Sequence, residues 1–98
     1  MRLRYSPSAL ADLDNILGYI ATHSAQGASK VLARIEAVTE LLVQYPKCGS
    51  RTDDPTIRRM TTSPYPYLIF YELADDDIII HAVRHGARDP SGMPGSSQ

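Results

Sequence analysis

The sequence predicts a small α+β domain of order β-α-α-β-β-β, in which a helical hairpin packs on one face of a small antiparallel sheet. Three observations predict it. Residues 1–5 alternate between apolar and charged side chains, residues 6–46 carry apolar side chains at helical spacing, and residues 57–84 contain three apolar runs separated by turn formers. We therefore expect one domain over residues 1–89, followed by a flexible C-terminal tail over residues 90–98.

The first predicted element is a strand with one solvent-exposed face. Leu3 and Tyr5 share one face, while Arg2 and Arg4 point to the other, which is the period of a strand. Its place in the sheet is left open, because no turn connects it directly to another strand.

Two helices follow. Ser6-Pro7 predicts a helix start, with serine as the N-cap and proline at the first helical position. Leucine and isoleucine at positions 10, 13, 16, 17 and 20 form the apolar stripe of the first helix, which ends within residues 23–27. The second helix runs from Ala28 to Tyr45, and Pro46 stops it. A join this short predicts an antiparallel hairpin.

Three strands make up the second half of the domain. They are predicted over Ile57–Thr61, Tyr67–Leu73 and Asp77–Arg84, with turns at residues 62–66 and 74–76. Tyrosine, isoleucine, phenylalanine and valine dominate these runs, as expected of side chains that fit a half-buried pleated surface.

The last two strands are apolar on both faces, although two helices can cover only one face of a small sheet. Glu72 and His81 mark the wetter face, so we place the helices on the side of Tyr67 and Tyr71. The other face keeps an apolar patch that is a candidate partner surface. Its members are Leu68, Phe70, Ile79 and Val83. Alternatively, the loop of residues 47–56 or the tail folds over this patch.

Composition excludes several classes of function. A net charge of -1 over 98 residues argues against direct nucleic-acid binding, since such proteins usually carry a basic surplus. The single cysteine, Cys48, cannot form an internal disulfide and indicates a reducing, cytoplasmic compartment. No apolar run approaches the roughly 18 residues of a membrane-spanning helix. Neither a metal-ligand spacing nor a phosphate-binding loop is present, so no cofactor is predicted.

The candidate binding residues lie at the ends of the predicted strands. Arg84, His85 and Arg88 follow the last strand, where side chains can leave the sheet and meet a partner. Alternatively, Arg88 pairs with a nearby aspartate and His85 bonds to the backbone, as surface pairs commonly do.

Three further candidates belong to the first strand of this unit and the turn that follows it. Arg58 and Arg59 point to opposite faces, so at most one of them faces a given site. Tyr65 lies in the predicted turn and is expected to be an exposed aromatic residue.

Across residues 1–89 the chain resembles the RelE/ParE toxins of type II toxin–antitoxin systems. The order of elements matches, and so do several short motifs in register. They are Tyr5-Ser6-Pro7, Ala11-Asp12-Leu13, Tyr45-Pro46, Arg58-Arg59, residues 65–71 (YPYLIFY) and residues 85–89 (HGARD). The resemblance implies a small toxin that a ParD-like antitoxin, encoded beside it, wraps and neutralises in a hetero-oligomer.

The two branches of this family imply different chemistry. RelE-like members cleave mRNA on the ribosome, whereas ParE-like members poison DNA gyrase. The cleaving branch tends to carry an arginine one position after the aromatic residue that is Tyr67 here, and a late tyrosine or histidine. This chain has Leu68 at that position, and no tyrosine or histidine follows Asp89. These departures favour a non-enzymatic, ParE-like gyrase inhibitor over an endoribonuclease. A degenerate member that only binds antitoxin is a further alternative.

Overall fold

The computed structural model describes residues 1–86 of the chain. Their elements are β1 (Arg2–Tyr5), α1 (Pro7–Ala21), α2 (Ala25–Gln44), β2 (Ser50–Arg51), β3 (Ile57–Thr62), β4 (Tyr65–Ala74) and β5 (Asp77–His85). The strands form one five-stranded sheet of order β1-β5-β4-β3-β2, and both helices pack on the same face of it. The predicted α+β fold with a helical hairpin on a small sheet is confirmed.

The sheet is mixed, whereas the sequence predicted antiparallel pairing. β1 lies parallel to β5 at the edge of the sheet, with Leu3 level with Ile78 and Tyr5 level with Ile80. The other pairs are antiparallel. No pattern in the sequence indicated β2, a two-residue strand within the predicted loop, which pairs with Arg58 and Arg59. β1 and β2 are both too short for their sequence pattern to indicate which strand each of them pairs with.

Serine side chains fix the start of each helix. The Ser6 hydroxyl accepts the backbone N–H of Ala9 at 3.0 Å, and the Ser24 hydroxyl accepts that of Gly27 at 2.9 Å. Each such cap contributes about 1 kcal/mol, because it satisfies a donor that the helix itself cannot. The second helix begins at Ala25, so the connection between the helices is shorter than predicted.

One extra residue in β5 changes which side chains face the helices. Tyr71 lies opposite Ile80 but Phe70 lies opposite Ala82, so His81 has no direct partner on β4. Such a β-bulge turns every later side chain to the opposite face. Val83 consequently lies in the core beneath the helices, and Ala82 lies on the other side. The prediction that Val83 shares a face with Leu68 is wrong for this reason.

The main core lies between the helices and the sheet. Ile35 and Leu42 of α2 are fully buried against Ile69, Tyr71 and other strand residues on the same face. Each large aliphatic side chain buried in this way contributes roughly 1.5–3 kcal/mol. The prediction that the helices cover the side of β4 that carries Tyr67 and Tyr71 is confirmed.

The loop after α2 is tied to this core by two side chains. The Tyr71 hydroxyl donates to the carbonyl of Pro46 at 2.8 Å and accepts the N–H of Gly49 at 3.0 Å. Arg58 donates to the carbonyls of Lys47 and Gly49. The loop therefore has a fixed path to β2, although it contains little regular structure.

Candidate functional site

The sheet face that turns away from the helices, here called the outer face, carries several of the candidate residues. Its apolar centre consists of the buried side chains of Ile57, Phe70 and Ala82, with Leu68 partly buried beside them. The register places Arg59 opposite Phe70 and Arg84 opposite Leu68. Two arginines from different strands therefore flank a short apolar strip.

Arg84 is held by the first helix. Its Nη1 lies 3.3 Å from Oδ1 of Asp12, whose Oδ2 accepts the backbone N–H of Val83 at 3.0 Å. β1 pairs with β5 only up to Ile80, so Asp12 replaces the missing strand partner beyond that point. The Nε of Arg84 is buried without a hydrogen-bond partner. Part of the guanidinium is thus engaged in the fold, while its buried Nε–H lacks a partner.

Arg58 and Arg59 point to opposite faces, as predicted. Arg58 lies opposite Tyr71 on the helix side and binds the carbonyls of Lys47 and Gly49, so its role is structural. Arg59 lies on the outer face, and its side chain makes no hydrogen bond or ion pair to another residue in the described range 1–86. Of the two, Arg59 is the better candidate for contact with a partner.

Tyr65 does not lie in a turn. It begins β4, where it pairs with Thr62 and is partly buried against the main core. The turn is only Ser63-Pro64, with a cis peptide bond between the two residues. The prediction that Tyr65 is an exposed aromatic residue is therefore wrong, because β4 starts two residues earlier than its sequence pattern indicated.

His85 lies on the face opposite to that of Arg84. It is half-buried across from Tyr67, with the two rings edge to face and their centroids 5.5 Å apart. Together with Asn15, Ile16 and Tyr19 these rings line a cleft of about 280 Å³ between α1 and the end of the sheet. Arg84 and His85, which the sequence grouped together, therefore serve different surfaces.

The predicted apolar patch is only partly present. Leu68 and Ile79 lie on the outer face and are half-buried, but Phe70 has no exposed surface. Val83 lies in the main core. Phe70 therefore offers no exposed area to a partner. Arg88, the proposed end of the domain at residue 89 and the tail of residues 90–98 lie outside the described residues.

Comparison with known proteins assigns this arrangement to a family. A family model described as the ParE toxin of the type II toxin–antitoxin system parDE matches residues 3–90. The chain belongs to the ParE toxin family. This assignment confirms the resemblance to RelE/ParE toxins and makes the chain a toxin of a type II toxin–antitoxin system.

Two similar proteins support the assignment. Toxin RelE2 of Caulobacter vibrioides is 38% identical over 80 residues, which cover 82% of this chain and 89% of that protein. A solved structure of the chromosomal ParDE toxin–antitoxin system from P. aeruginosa contains a chain that superposes with a TM-score of 0.74 at 24% identity. The superposition covers 87% of this ParE-family chain and 95% of that one, and it shows a shared fold.

The outer face of this ParE-family toxin also carries side-chain contacts that the sequence did not predict. His81 Nε2 lies 2.7 Å from Oε1 of Glu72, and both side chains are about one-third exposed. A regular hairpin would place His81 level with Phe70, whereas here His81 has no direct partner on β4 and its ring contacts Glu72. The sequence placed both residues on the wetter face, but nothing in it signalled the bulge.

A second cluster lies where β1 meets β5. Asp77 accepts from Arg2 and Arg4 at 3.3 Å each. Desolvation acts to raise the pKa of Asp77, but hydrogen bonds and positive charge from Arg4 and Arg2 outweigh it and lower the pKa below 3.8. Two guanidinium groups thus share one carboxylate at this end of the outer face.

Membrane-spanning helices and metal clusters are both absent from residues 1–86. No helix in this range is long and apolar enough to cross a membrane. Within the same range, no group of three or more histidine, cysteine, aspartate or glutamate side chains is arranged to hold a metal ion.

Proposed function

We propose that this ParE-family toxin acts by binding DNA gyrase, without catalysis of its own, and that a ParD-like antitoxin neutralises it in a hetero-oligomer. The observation that carries the proposal is the centre of the outer face. Leu68 lies there between Arg84, directly opposite, and the neighbouring Phe70–Arg59 pair. Leu68 is half-buried there, whereas Phe70 beside it is fully buried. An apolar side chain between two cations suits recognition of another protein, because it combines apolar contact with charge complementarity.

Phosphodiester cleavage needs groups that move protons and stabilise charge on the phosphate. Leu68 can do neither, and the Arg84 guanidinium already pairs through Nη1 with Asp12. These features favour inhibition by binding over mRNA cleavage.

The proposal of an antitoxin partner draws on exposed apolar side chains as well as on the family. Leu10 and Tyr19 of α1 are 54% and 55% exposed, and Tyr45 after α2 is 59% exposed. Large apolar side chains on several surfaces are what a partner that wraps the toxin would cover. Acidic side chains of that partner would meet Arg59, Arg84 and Arg88.

A second candidate function is ribosome-dependent mRNA cleavage, and one observation favours it. The His81–Glu72 pair is partly exposed on a face that also carries arginines, and a histidine held by a carboxylate is a common general base. The relative from Caulobacter vibrioides also carries the RelE name.

Purified toxin separates the two functions. Gyrase inhibition predicts loss of DNA supercoiling, or accumulation of cleaved DNA, in a reaction with gyrase alone. Ribonuclease activity predicts mRNA cuts that appear only with ribosomes and disappear in His81→Ala. A chain that is inert in both reactions, yet binds its antitoxin, would be a degenerate toxin and would contradict the proposal.

Site variants locate the binding surface. Arg59→Ala and Arg88→Ala should weaken growth arrest or antitoxin binding without lowering the melting temperature. Arg51→Ala is the control, because it removes an arginine from the neighbouring strand, but Arg51 lies on the helix side of the sheet, opposite Arg58. Equal activity of the Arg59 and Arg51 variants would rule out the outer face as the contact surface.

A further inference from the structure

β1 is an edge strand of the sheet. The backbone N–H and C=O groups on its outward side form no backbone hydrogen bond to another residue within residues 1–86. The N–H groups of Arg2 and Ser6 donate to Asp76 and Ile80, so these residues direct their backbone groups toward β5. Successive residues of a strand direct their N–H and C=O groups to opposite sides. Leu3 and Tyr5 therefore present theirs at the free edge, and such an edge is a template for another strand.

The helix side of this edge opens into an acidic cleft. Leu3 and Tyr5 line a cleft of about 390 Å³ together with Glu36, Thr39 and Glu40 of α2. Burial raises the pKa of the Tyr5 hydroxyl, and the nearby charge of Glu36 acts in the same direction. A side chain that enters the cleft thus meets apolar walls and negative charge.

The two glutamates of the cleft repel each other in the free protein. Glu36 and Glu40 are exposed, lie one helical turn apart and form no ion pair with a described residue. Like charges at this spacing destabilise a helix. A cation supplied from outside would relieve that repulsion.

The outer side of the same edge has the opposite charge. Arg2 and Arg4 are 79% and 62% exposed and share the single carboxylate of Asp77. A strand added to β1 would place its alternate side chains next to these arginines on one face and next to Glu36 and Glu40 on the other.

This charge pattern argues against a second copy of the chain as the added strand. Two β1 strands paired about a two-fold axis would place Arg2 and Arg4 of both copies on one continuous face. Glu36 and Glu40 of both copies would crowd the other face. Like charges opposed in this way destabilise a strand pair.

From these observations we infer that β1 is a docking edge for an extended segment of a partner polypeptide, in which basic side chains facing the helices alternate with acidic side chains on the outer face. The added strand pairs with the backbone of Leu3 and Tyr5. Its basic side chains bind Glu36 and Glu40, and its acidic side chains bind Arg2 and Arg4. The inference is independent of whether gyrase is the target of the toxin.

A synthetic peptide tests the edge directly. The probe is the end-blocked heptapeptide EKEVEKE, titrated into the full-length chain at low salt while backbone amide shifts and hydrogen exchange are followed by NMR. We expect saturable shifts at Leu3 and Tyr5 and slower exchange of these two amides. The amide of Arg4, which faces β5, should keep its exchange rate. Binding should weaken as salt is added, because the contacts are exposed ion pairs.

Two controls separate backbone pairing from charge attraction. N-methylation of alternate residues removes donors from one edge of the peptide only, so one of the two N-methylated isomers should lose binding and the other should keep it. Glu36→Gln with Glu40→Gln should weaken the peptide roughly fivefold, as expected for two exposed ion pairs. Asp14→Asn on the exposed side of α1 is the matched substitution, and it should leave peptide binding unchanged.

Three results would overturn the inference. One is the absence of saturable shifts at Leu3 and Tyr5 with millimolar peptide. Another is equal binding by both N-methylated isomers. The third is protection of the Leu3 and Tyr5 amides before any peptide is added, which would mean that the chain itself or a second copy already covers the edge.

Discussion

Removal of the Asp12 carboxylate should be among the most damaging single changes on the surface of α1. The side chain is only 15% exposed and accepts from both the Val83 N–H and the Arg84 guanidinium. A hydrogen bond to a charged group contributes about 1.5–3 kcal/mol. The partly exposed ion pair adds up to about 1 kcal/mol. Asp12→Ala should therefore lower the free energy of unfolding by about 1.5–4 kcal/mol.

Urea denaturation of the purified chain measures this change, and the urea dependence should keep its slope while the midpoint falls. In thermal unfolding the melting temperature should drop by at least about 6 °C, since 1 kcal/mol corresponds to roughly 4–8 °C in a domain of this size. Asp12→Asn should lose less, because its amide oxygen still accepts the N–H of Val83.

The pair with Arg84 is tested by a double-mutant cycle. Asp12→Ala and Arg84→Ala together should cost less than the sum of the two single changes, because the residues contact each other. A loss below about 0.5 kcal/mol for Asp12→Ala would refute the view that this carboxylate completes the edge of β5. Arg84 would then be free to act in binding alone.

Three further predictions concern the core and the loop that is tied to it. Tyr71→Phe should cost about 1–3 kcal/mol, because two backbone partners lose the hydroxyl. Burial raises the pKa of Tyr71 above 10.0, so the native protein keeps this proton to a higher pH than the unfolded chain does. The free energy of unfolding should therefore fall as the pH rises above about 10, and it should fall less steeply in the phenylalanine variant. Urea midpoints measured from about pH 8 to 11 test this. Gly49→Ala should destabilise the domain, because the added Cβ would lie 2.5 Å from the Tyr71 hydroxyl. Gly18→Ala in α1 places its Cβ near no atom within 4 Å and should stabilise the domain by about 0.5–1 kcal/mol. Thermal melts compare the two variants, and equal effects would count against tight packing of the loop. Val83→Ala should lower the free energy of unfolding, measured in urea, by roughly 2 kcal/mol. Ile79→Ala should lower it clearly less, because Ile79 is only half-buried. The reverse order would contradict the bulge, which places Val83 in the core.

Local patterns in the chain were sufficient to predict the helices and the three long strands. Ser6-Pro7 marks a helix start through contacts made within one turn, and the alternation around Tyr67 and Tyr71 identifies the buried face of β4. In both cases neighbouring residues carry the whole signal. The opposite faces of Arg58 and Arg59 followed from the same two-residue period.

The roles of individual candidate residues depended on contacts between distant parts of the chain. Arg84 meets Asp12, and Arg58 meets the loop at Lys47 and Gly49; no local pattern encodes either contact. The bulge at His81 had the widest effect, since it moved Val83 into the core. A bulge depends on how two strands pack against their surroundings, and the alternation within one strand does not reveal it.

The amino-acid pattern alone was enough to establish the α+β class, the paired helices and the family resemblance, because periodicity and turn chemistry are local properties. The parallel placement of β1 at the edge, the division of Arg84 and His85 between two surfaces, and the charge on either side of Leu3 and Tyr5 required the folded chain. Each of these features arises where segments far apart in sequence meet, and their relative placement is set by packing of the whole domain.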